Sequence, residues 1–556
     1  MREQRRKSIN ALWNLWPYLF LILLTAYLLI SSFAWLYRVR YPFGAFQIMW
    51  SFGYAGCLEE GGIRALLGVW SKADYYPPLN YTIWALIHYL FEPSRFSIPI
   101  ANALVWIPGF WAMFAIASRA TQKPWAGILA CVLMIGAPHF FFYFPIPSYE
   151  IPMASMQMVM LWGVLASERF EKPLPLSIAA IALAAGMLIK WTFIAGALGI
   201  ILFSVGDLLL FALQNRRIGK RLLTRRQLAS MSIASLLALL LAGPWYLFVL
   251  SWDKVFFNAV TDPLTAGFLE HIAWHAIQLY REVLWPVLAV SFLVSVPFLI
   301  FNKSKRMAFA ILIPFMTIYA VFSLIPHKES RFITILIPLC TLSIGIAWSN
   351  LFAVVKGKKI FQFVLILIAS SLALFAFYQH NELLFQWDTY PTDSGELKAE
   401  RLECLNEADQ LMVELKPYLE RVSQKPTVRV AIHPLSPISF SFSSDVIAYD
   451  LARLNIQGNT RYELIGFGVF QYTDFQERFD QADILLVPES VWKMNRAEVE
   501  KALIDMTHYT HPGMTPPKAP ADDPLFAHRI ASHYKPVGRI EVKCESPILV
   551  YEKIYK

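Results

Sequence analysis

From Ala11 to Phe377 the chain is a succession of apolar runs, many about 20 residues long, joined by short loops that carry most of its charge. This pattern is the strongest constraint on the fold. A lipid-exposed segment must satisfy its own backbone hydrogen bonds, so each long run is expected to be a helix. Composition agrees: 56% of the residues are hydrophobic and only 16% are charged, against roughly a quarter charged in soluble domains. The expected fold is a polytopic α-helical membrane protein with a C-terminal soluble α/β domain. The expected spans are 11–37, 98–118, 124–145, 151–167, 174–189, 191–213, 228–250, 284–302, 307–326, 332–355 and 360–378, about eleven in all.

The basic start (Arg2, Arg5, Arg6, Lys7) precedes an apolar run too long for a usual signal-peptide core and without a clear cleavage site. It reads as a retained first span with a cytoplasmic N-terminus. Leu79–Phe91 is too short to cross. It is bounded by Pro77-Pro78 and Glu92-Pro93, and is expected to lie in the interface. The loops then sort by charge. Arg119/Lys123, Arg169/Lys172, the Arg216–Arg226 cluster, Lys303/Lys305/Arg306 and Lys356/Lys358/Lys359 share the N-terminal side, which the positive-inside rule makes cytoplasmic.

The opposite face is expected to receive the loop 38–97, Pro147–Glu150, Lys190-Trp-Thr192, the loop 251–283, His327–Arg331 and the tail. The membrane domain is expected at 1–379 and an extracytoplasmic α/β domain at 380–556. In the latter, Glu400–Val422 reads as an amphipathic helix. Thr427–Ile432, Ala482–Val487, Ile540–Lys543 and Ile548–Tyr551 read as strands, and 508–526 as a loop. The net charge of +9 belongs largely to span-flanking loops, so it is no sign of nucleic-acid binding. Five cysteines are too few for a disulfide framework; Cys404 and Cys544 are left as a pair whose linkage sequence does not decide.

Candidate chemistry gathers on the outer face. Asp74 precedes Pro77-Pro78. It is either a helix cap or a general base beside a rigid turn. Glu150 stands where a first-turn acid would complement a helix dipole, or where a second site carboxylate would lie. Lys190 interrupts an apolar stretch. Such a lysine can snorkel, but charge within a membrane run by default marks a site, and an ammonium suits phosphate. His327-Lys328-Glu329-Ser330-Arg331 is the densest outer cluster. It is either a set of interfacial anchors or a phosphate grip built on a guanidinium. His271 and His275 have helical spacing but no clear third ligand, so they read as part of an amphipathic helix. Nucleotide-loop, dinucleotide, nucleophile-elbow and zinc signatures are missing from the sequence.

In order, these motifs resemble the GT-C superfamily of integral-membrane glycosyltransferases, most closely the protein O-mannosyltransferase and aminoarabinose-transferase group. Asp74-Tyr-Tyr-Pro77-Pro78-Leu79 is similar to an Asp-x-His-Pro-Pro-Leu motif, with Tyr76 at the histidine. His327-Lys328-Glu329-Ser330-Arg331-Phe332 is similar to the His-Lys-Glu-x-Arg-Phe of lipid-linked mannosyltransferases. The resemblance covers residues 10–380. It implies a polyprenyl-phosphate sugar donor, a glycan, lipid or protein acceptor, and transfer with inversion at the outer face of an inner or plasma membrane. It also implies an outer-loop carboxylate as base, with Asp74, Glu150, Glu59 and Glu60 as candidates. Lys190, His327, Lys328 and Arg331 fall on the donor-phosphate side. No cofactor is specified, and a divalent metal is left open. Many relatives carry an acid just after the first span; here Tyr41–Gln47 has none. That departure keeps an inactive, lipid-sugar-binding or scaffolding relative as the alternative, with a transporter or flippase below it.

Overall fold

The computed structural model describes residues 2–38, 45–71, 73, 75–91, 94, 96–217, 223–252, 268–300, 305–325, 330–355, 359–385, 391–392, 395–396, 408–422, 424–433, 451, 461–465, 478–501, 526–541 and 547–555. The protein is an integral-membrane helical bundle followed by a small sheet. Among the described residues, seven helices are long and apolar enough to cross a membrane, or up to eight if a bent pair counts as one span. Three shorter apolar helices, Pro124–Ile135, Glu150–Ala166 and Pro173–Ile189, complete the set.

The helices begin and end where elementary rules place them. In order they are α1 (Arg2–Arg38), α2 (Ala45–Trp70), α3 (Leu79–Phe91), α4 (Ser97–Thr121), α5 (Pro124–Ile135), α6 (Pro138–Tyr143), α7 (Glu150–Ala166), α8 (Pro173–Ile189), α9 (Ile194–Arg217) and α10 (Arg225–Phe248). They continue as α11 (Phe268–Gln278), α12 (Trp285–Ile300), α13 (Lys305–Leu324), α14 (Ile337–Val354) and α15 (Lys359–Phe385). Proline opens α5, α6 and α8, where its missing N–H would be unpaired in any case. A reciprocal capping box opens α10: Gln227 N donates to Thr224 Oγ1 at 3.1 Å, and Thr224 N donates to Gln227 Oε1 at 2.8 Å.

Two expectations for the membrane domain need correction. The segment 38–97 is not simply a loop with one interfacial helix: it also holds α2, broken at Gly62 (φ 61°, ψ −150°), a conformation open to glycine but not to residues with a Cβ. The glycines at 53, 56, 61 and 62 in the sequence hid the helix, because interior glycine counts against one. The apolar run 124–145 is two helices. It breaks between Ile135 and Pro138, since proline disfavours helical backbone at the residue before it. The expected helix Leu79–Phe91 has the bounds read from sequence.

Within the bundle, α7 packs between α4 and α8, and α9 against α13. Small residues permit these approaches. A Cβ on Gly199 of α9 would lie 2.4 Å from Pro314 Cα of α13, and one on Gly163 of α7 would lie 2.6 Å from Pro175 O of α8. At one end, an ionic clamp joins three elements. Asp207 on α9 accepts from Arg169 Nε at 3.2 Å and from Arg306 Nε at 2.9 Å. Arg169 belongs to a turn after α7 in which Glu168, Arg169 and Phe170 all have positive φ. Left-handed backbone costs a non-glycine residue about 1–2 kcal/mol, and this clamp holds it in place.

The C-terminal region forms a mixed five-stranded sheet, β1 (Thr427–Ile432), β2 (Arg461–Ile465), β3 (Ile484–Pro488), β4 (Tyr534–Ile540) and β5 (Ile548–Lys553), in the order β2-β1-β3-β5-β4. Strand β1 is parallel to β2 and β3, whereas β5 runs antiparallel to β3 and β4. Alternation decides the faces. Val428, Val430, Ile484 and Leu486 pack under α16 (Ala408–Val422) through Leu411, Leu415 and Leu419. Ala431, Leu485 and Val487 face the opposite cluster with Phe479 and Phe526. The strand expected at Ile540–Lys543 instead ends at Ile540. Pro536 and Gly538 discourage a strand reading, but β4 is an edge strand with a register shift between those residues, where proline is tolerated. Residues 508–525, Cys404 and Cys544 lie outside the described residues.

Two measurements check this architecture. Gly199→Val should lower the melting temperature in detergent, overpacking costing about 1–3 kcal/mol. Gly206→Val, with nothing within 4 Å of its Cβ position, should not. In the sheet, burial alone would raise the Asp483 pKa, but hydrogen bonds from Lys425 (2.7 Å), Tyr555 (2.5 Å) and the Arg429 amide (2.8 Å) hold it below the usual value. A depressed folded-state pKa stabilises above the unfolded value of about 3.9 and stops doing so as pH falls through the folded value. Asp483→Asn should therefore speed amide exchange in β1 at neutral pH. The difference from the parent should close in acid, once Asp483 itself protonates.

Candidate active site

The residues between α6 and α7, Phe144-Pro-Ile-Pro-Ser-Tyr149, cannot form a helix because of their two prolines. Their carbonyls are taken up by neighbouring side chains. Asn102 of α4 donates to Phe144 O at 2.8 Å and to Ile146 O at 3.0 Å. Asn80 of α3 donates to Ser148 O at 3.3 Å. Buried backbone acceptors need such partners, and the result is a stapled loop that delivers Glu150 to the first turn of α7.

Glu150 is 3% exposed at its side chain and meets Lys190, 8% exposed, with Lys190 Nζ 2.9 Å from Glu150 Oε1. Its other oxygen accepts from the Tyr149 amide at 3.0 Å. Lys190 sits in the break between α8 and α9, in extended backbone (φ −156°, ψ 134°), followed by the 3-10 turn Trp191–Phe193. Its ammonium lies 5.3 Å from the Tyr149 ring centre and 5.2 Å from that of Phe332, within cation–π range. Arg331, on the neighbouring 3-10 segment Ser330–Leu336, adds its positive charge to the surroundings of Glu150. One carboxylate thus pairs with Lys190, and Arg331 lies close by: its guanidinium is 5.7 Å from the centre of the Phe332 ring that also faces the Lys190 ammonium.

The loop before α3 reaches the same place. Tyr76 stacks on Tyr149 with ring centres 5.4 Å apart and planes 4° apart, and the Tyr149 and Tyr81 hydroxyls are hydrogen-bonded. Trp245 Nε1 donates to Ala73 O at 3.1 Å, which ties this loop to α10.

Of the residues expected from sequence, the structure brings Glu150, Lys190 and Arg331 together. Asp74, His327 and Lys328 lie outside the described residues, as does the Glu60 side chain. Tyr76, two positions beyond Asp74, belongs to the site's aromatic wall. Glu59 is exposed on α2 and takes no part in the ionic cluster among the described residues. His275 is buried on α11 and the His271 side chain is not described. Among the described residues no group of three or more His, Cys, Asp or Glu is placed to hold a metal.

The sequence reading missed His139. It lies on α6, 3% exposed, and reaches Thr334 Oγ1 at 3.0 Å, Ser330 Oγ at 3.4 Å and Glu282 at 4.0 Å. A signal was there: one polar side chain in Ala-Pro-His-Phe-Phe-Phe, within a membrane run.

The structure is similar to crystal structures of ArnT from Cupriavidus metallidurans. For the form bound to undecaprenyl phosphate, the TM-score is 0.56 at 13% identity, covering 96% of this chain and 98% of that one. For the apo form, the TM-score is 0.51 at 11% identity, covering 91% and 93%. At such identities the likeness is one of fold. Curated protein sequences give no match. The profile of the Alg9-like mannosyltransferase family matches residues 95–387, the stretch that carries Glu150, Lys190 and Arg331. That match takes in more than half of the chain, and the chain therefore belongs to the Alg9-like mannosyltransferase family, a membrane glycosyltransferase of the GT-C superfamily.

Proposed function

We propose that the protein transfers a sugar from a polyprenyl-phosphate donor to an acceptor at the extracytoplasmic face of the membrane. The observation that carries this reading is the buried Glu150–Lys190 pair beside Arg331. Two cations around one carboxylate suit a lipid phosphate: a guanidinium offers paired donors and an ammonium a concentrated charge. The fold neighbour captured with undecaprenyl phosphate supports a donor of this class.

The helices support this choice of membrane side. Helices α7 and α8 each have 17 residues, a length of about 25 Å. Glu150 and Lys190 stand at one end of these helices. At the other end are Glu168, Arg169 and Lys172, with Arg119 3.0 Å from Glu168. Basic loops stay cytoplasmic, which supports an outward-facing site and an extracytoplasmic C-terminal domain.

In this reading the acceptor hydroxyl gives its proton to Asp74, the carboxylate of the loop that Ala73 and Tyr76 anchor. The acceptor oxygen bonds to the anomeric carbon as the bond from that carbon to the phosphate oxygen breaks. The electron pair stays on the lipid phosphate, where Lys190 and Arg331 oppose the growing charge, assisted by His327 and Lys328. Glu150 holds Lys190 in place. Glu59 and Glu60 are the other candidate acids from the segment 38–97. The acceptor is a glycan, lipid or protein hydroxyl.

With a labelled polyprenyl-phosphate sugar, Asp74→Asn should lower turnover by about 10²–10⁴, the usual worth of a general base. Unchanged transfer in both Asp74→Asn and Glu150→Gln would overturn this reading. Lys190→Met should do two separable things. It should abolish transfer, and it should destabilise the bundle by about 3–5 kcal/mol because Glu150 is left buried without its counter-ion. Adding Glu150→Gln should restore most of the melting temperature in detergent and none of the transfer.

A further inference from the structure

Two irregular helical segments face each other near the Glu150 cluster. Ser330–Leu336 is a seven-residue 3-10 run, although such runs seldom exceed three or four residues. Leu279–Val283 is a π-turn at a 119° break between α11 and α12, where Trp285 has φ 64°. Neither geometry is the one a free helix adopts, so tertiary contacts must hold both. His139 stands between them. One ring nitrogen meets Thr334 and the other faces Ser330 and Glu282. Gln278, with its amide oriented to donate, binds the same Glu282 carboxylate at 2.6 and 2.9 Å. The imidazole thus hydrogen-bonds to Thr334 and Ser330 of the 3-10 run and lies 4.0 Å from the Glu282 carboxylate of the π-turn, the outer limit of an ion pair. Arg331 follows Ser330 directly.

We propose that His139 is a positioning residue that holds the segment Ser330–Leu336 against the π-turn and so aims the Arg331 guanidinium at the phosphate of a polyprenyl-phosphate lipid. The proposal rests on the donor reading above. It makes no use of the His139 proton in the transfer step. The ring acts through geometry: a guanidinium rewards phosphate only when its flat donor fork is aligned, and a small displacement of a binding group is costly.

The test is a double-variant cycle on the full-length protein in detergent, with undecaprenyl phosphate as the probe and binding as the readout. Arg331→Ala and His139→Ala should each weaken binding about tenfold, and the double variant should be no worse than Arg331→Ala alone, as expected for residues in one network. His139→Asn, whose amide keeps a polar partner for Thr334, should recover part of the loss; it also serves if His139→Ala fails to fold. Additive effects of the two alanines, or wild-type binding in His139→Asn and His139→Ala alike, would overturn the positioning role and leave the donor reading standing. Wild-type binding in Arg331→Ala would overturn the positioning role, since the histidine works only through that arginine; no binding of undecaprenyl phosphate by the parent protein would overturn the donor reading as well.

Discussion

The Glu150–Lys190 ion pair is the constraint on which the site depends. Both side chains are almost fully buried. Taking them out of water costs several kcal/mol per ion, and their attraction repays that only with good geometry and further hydrogen bonds. The surrounding structure supplies both: the Tyr149 amide fills the second carboxylate oxygen, and two aromatic rings face the ammonium. In proteins generally, a well-packed hydrophobic pair of similar volume is often as stable as a buried ion pair. The pair is therefore better understood through what it does for the site than through the stability of the bundle.

The described side chains of the proposed site sit where a helix stops. Glu150 follows a proline-rich loop, Lys190 occupies the break between α8 and α9, and Arg331 lies on a seven-residue 3-10 run before α14. A continuous span offers a lipid bilayer only satisfied backbone and apolar surface. Breaks free backbone groups and let polar side chains turn inward, but only where protein surrounds them. The two asparagines that take up the Phe144, Ile146 and Ser148 carbonyls meet this requirement, and they hold the loop that carries the carboxylate. At the other end of the same helices, the Arg169–Asp207–Arg306 clamp fixes α9 and α13 relative to the turn after α7.

Much of this was legible along the chain. The membrane bundle was, because hydrocarbon demands long apolar runs and charged loops interrupt them, although seven or eight of the described helices, not about eleven, are long and apolar enough to cross. Glu150, Lys190 and Arg331 stood out because charge beside or inside such runs is rare. The helix α3 was readable from its prolines. By contrast, α2 was hidden by its glycines, and β4 by Pro536 and Gly538, since local propensity misleads where an edge position or a break tolerates such residues. His139 and Glu282 sit 143 residues apart in number, and no local pattern pairs them.

Sequence by itself determined that this is a membrane bundle with a mixed α/β tail, and which charged residues must find partners. Those are consequences of solvent and of period, which act locally. Only the tertiary structure decided that Glu150 meets Lys190 rather than water, that Arg331 joins them, and that an imidazole braces the segment carrying that arginine. Partners distant in the chain are chosen by packing, through close approaches such as Gly199 on Pro314, and packing is a property of the whole bundle.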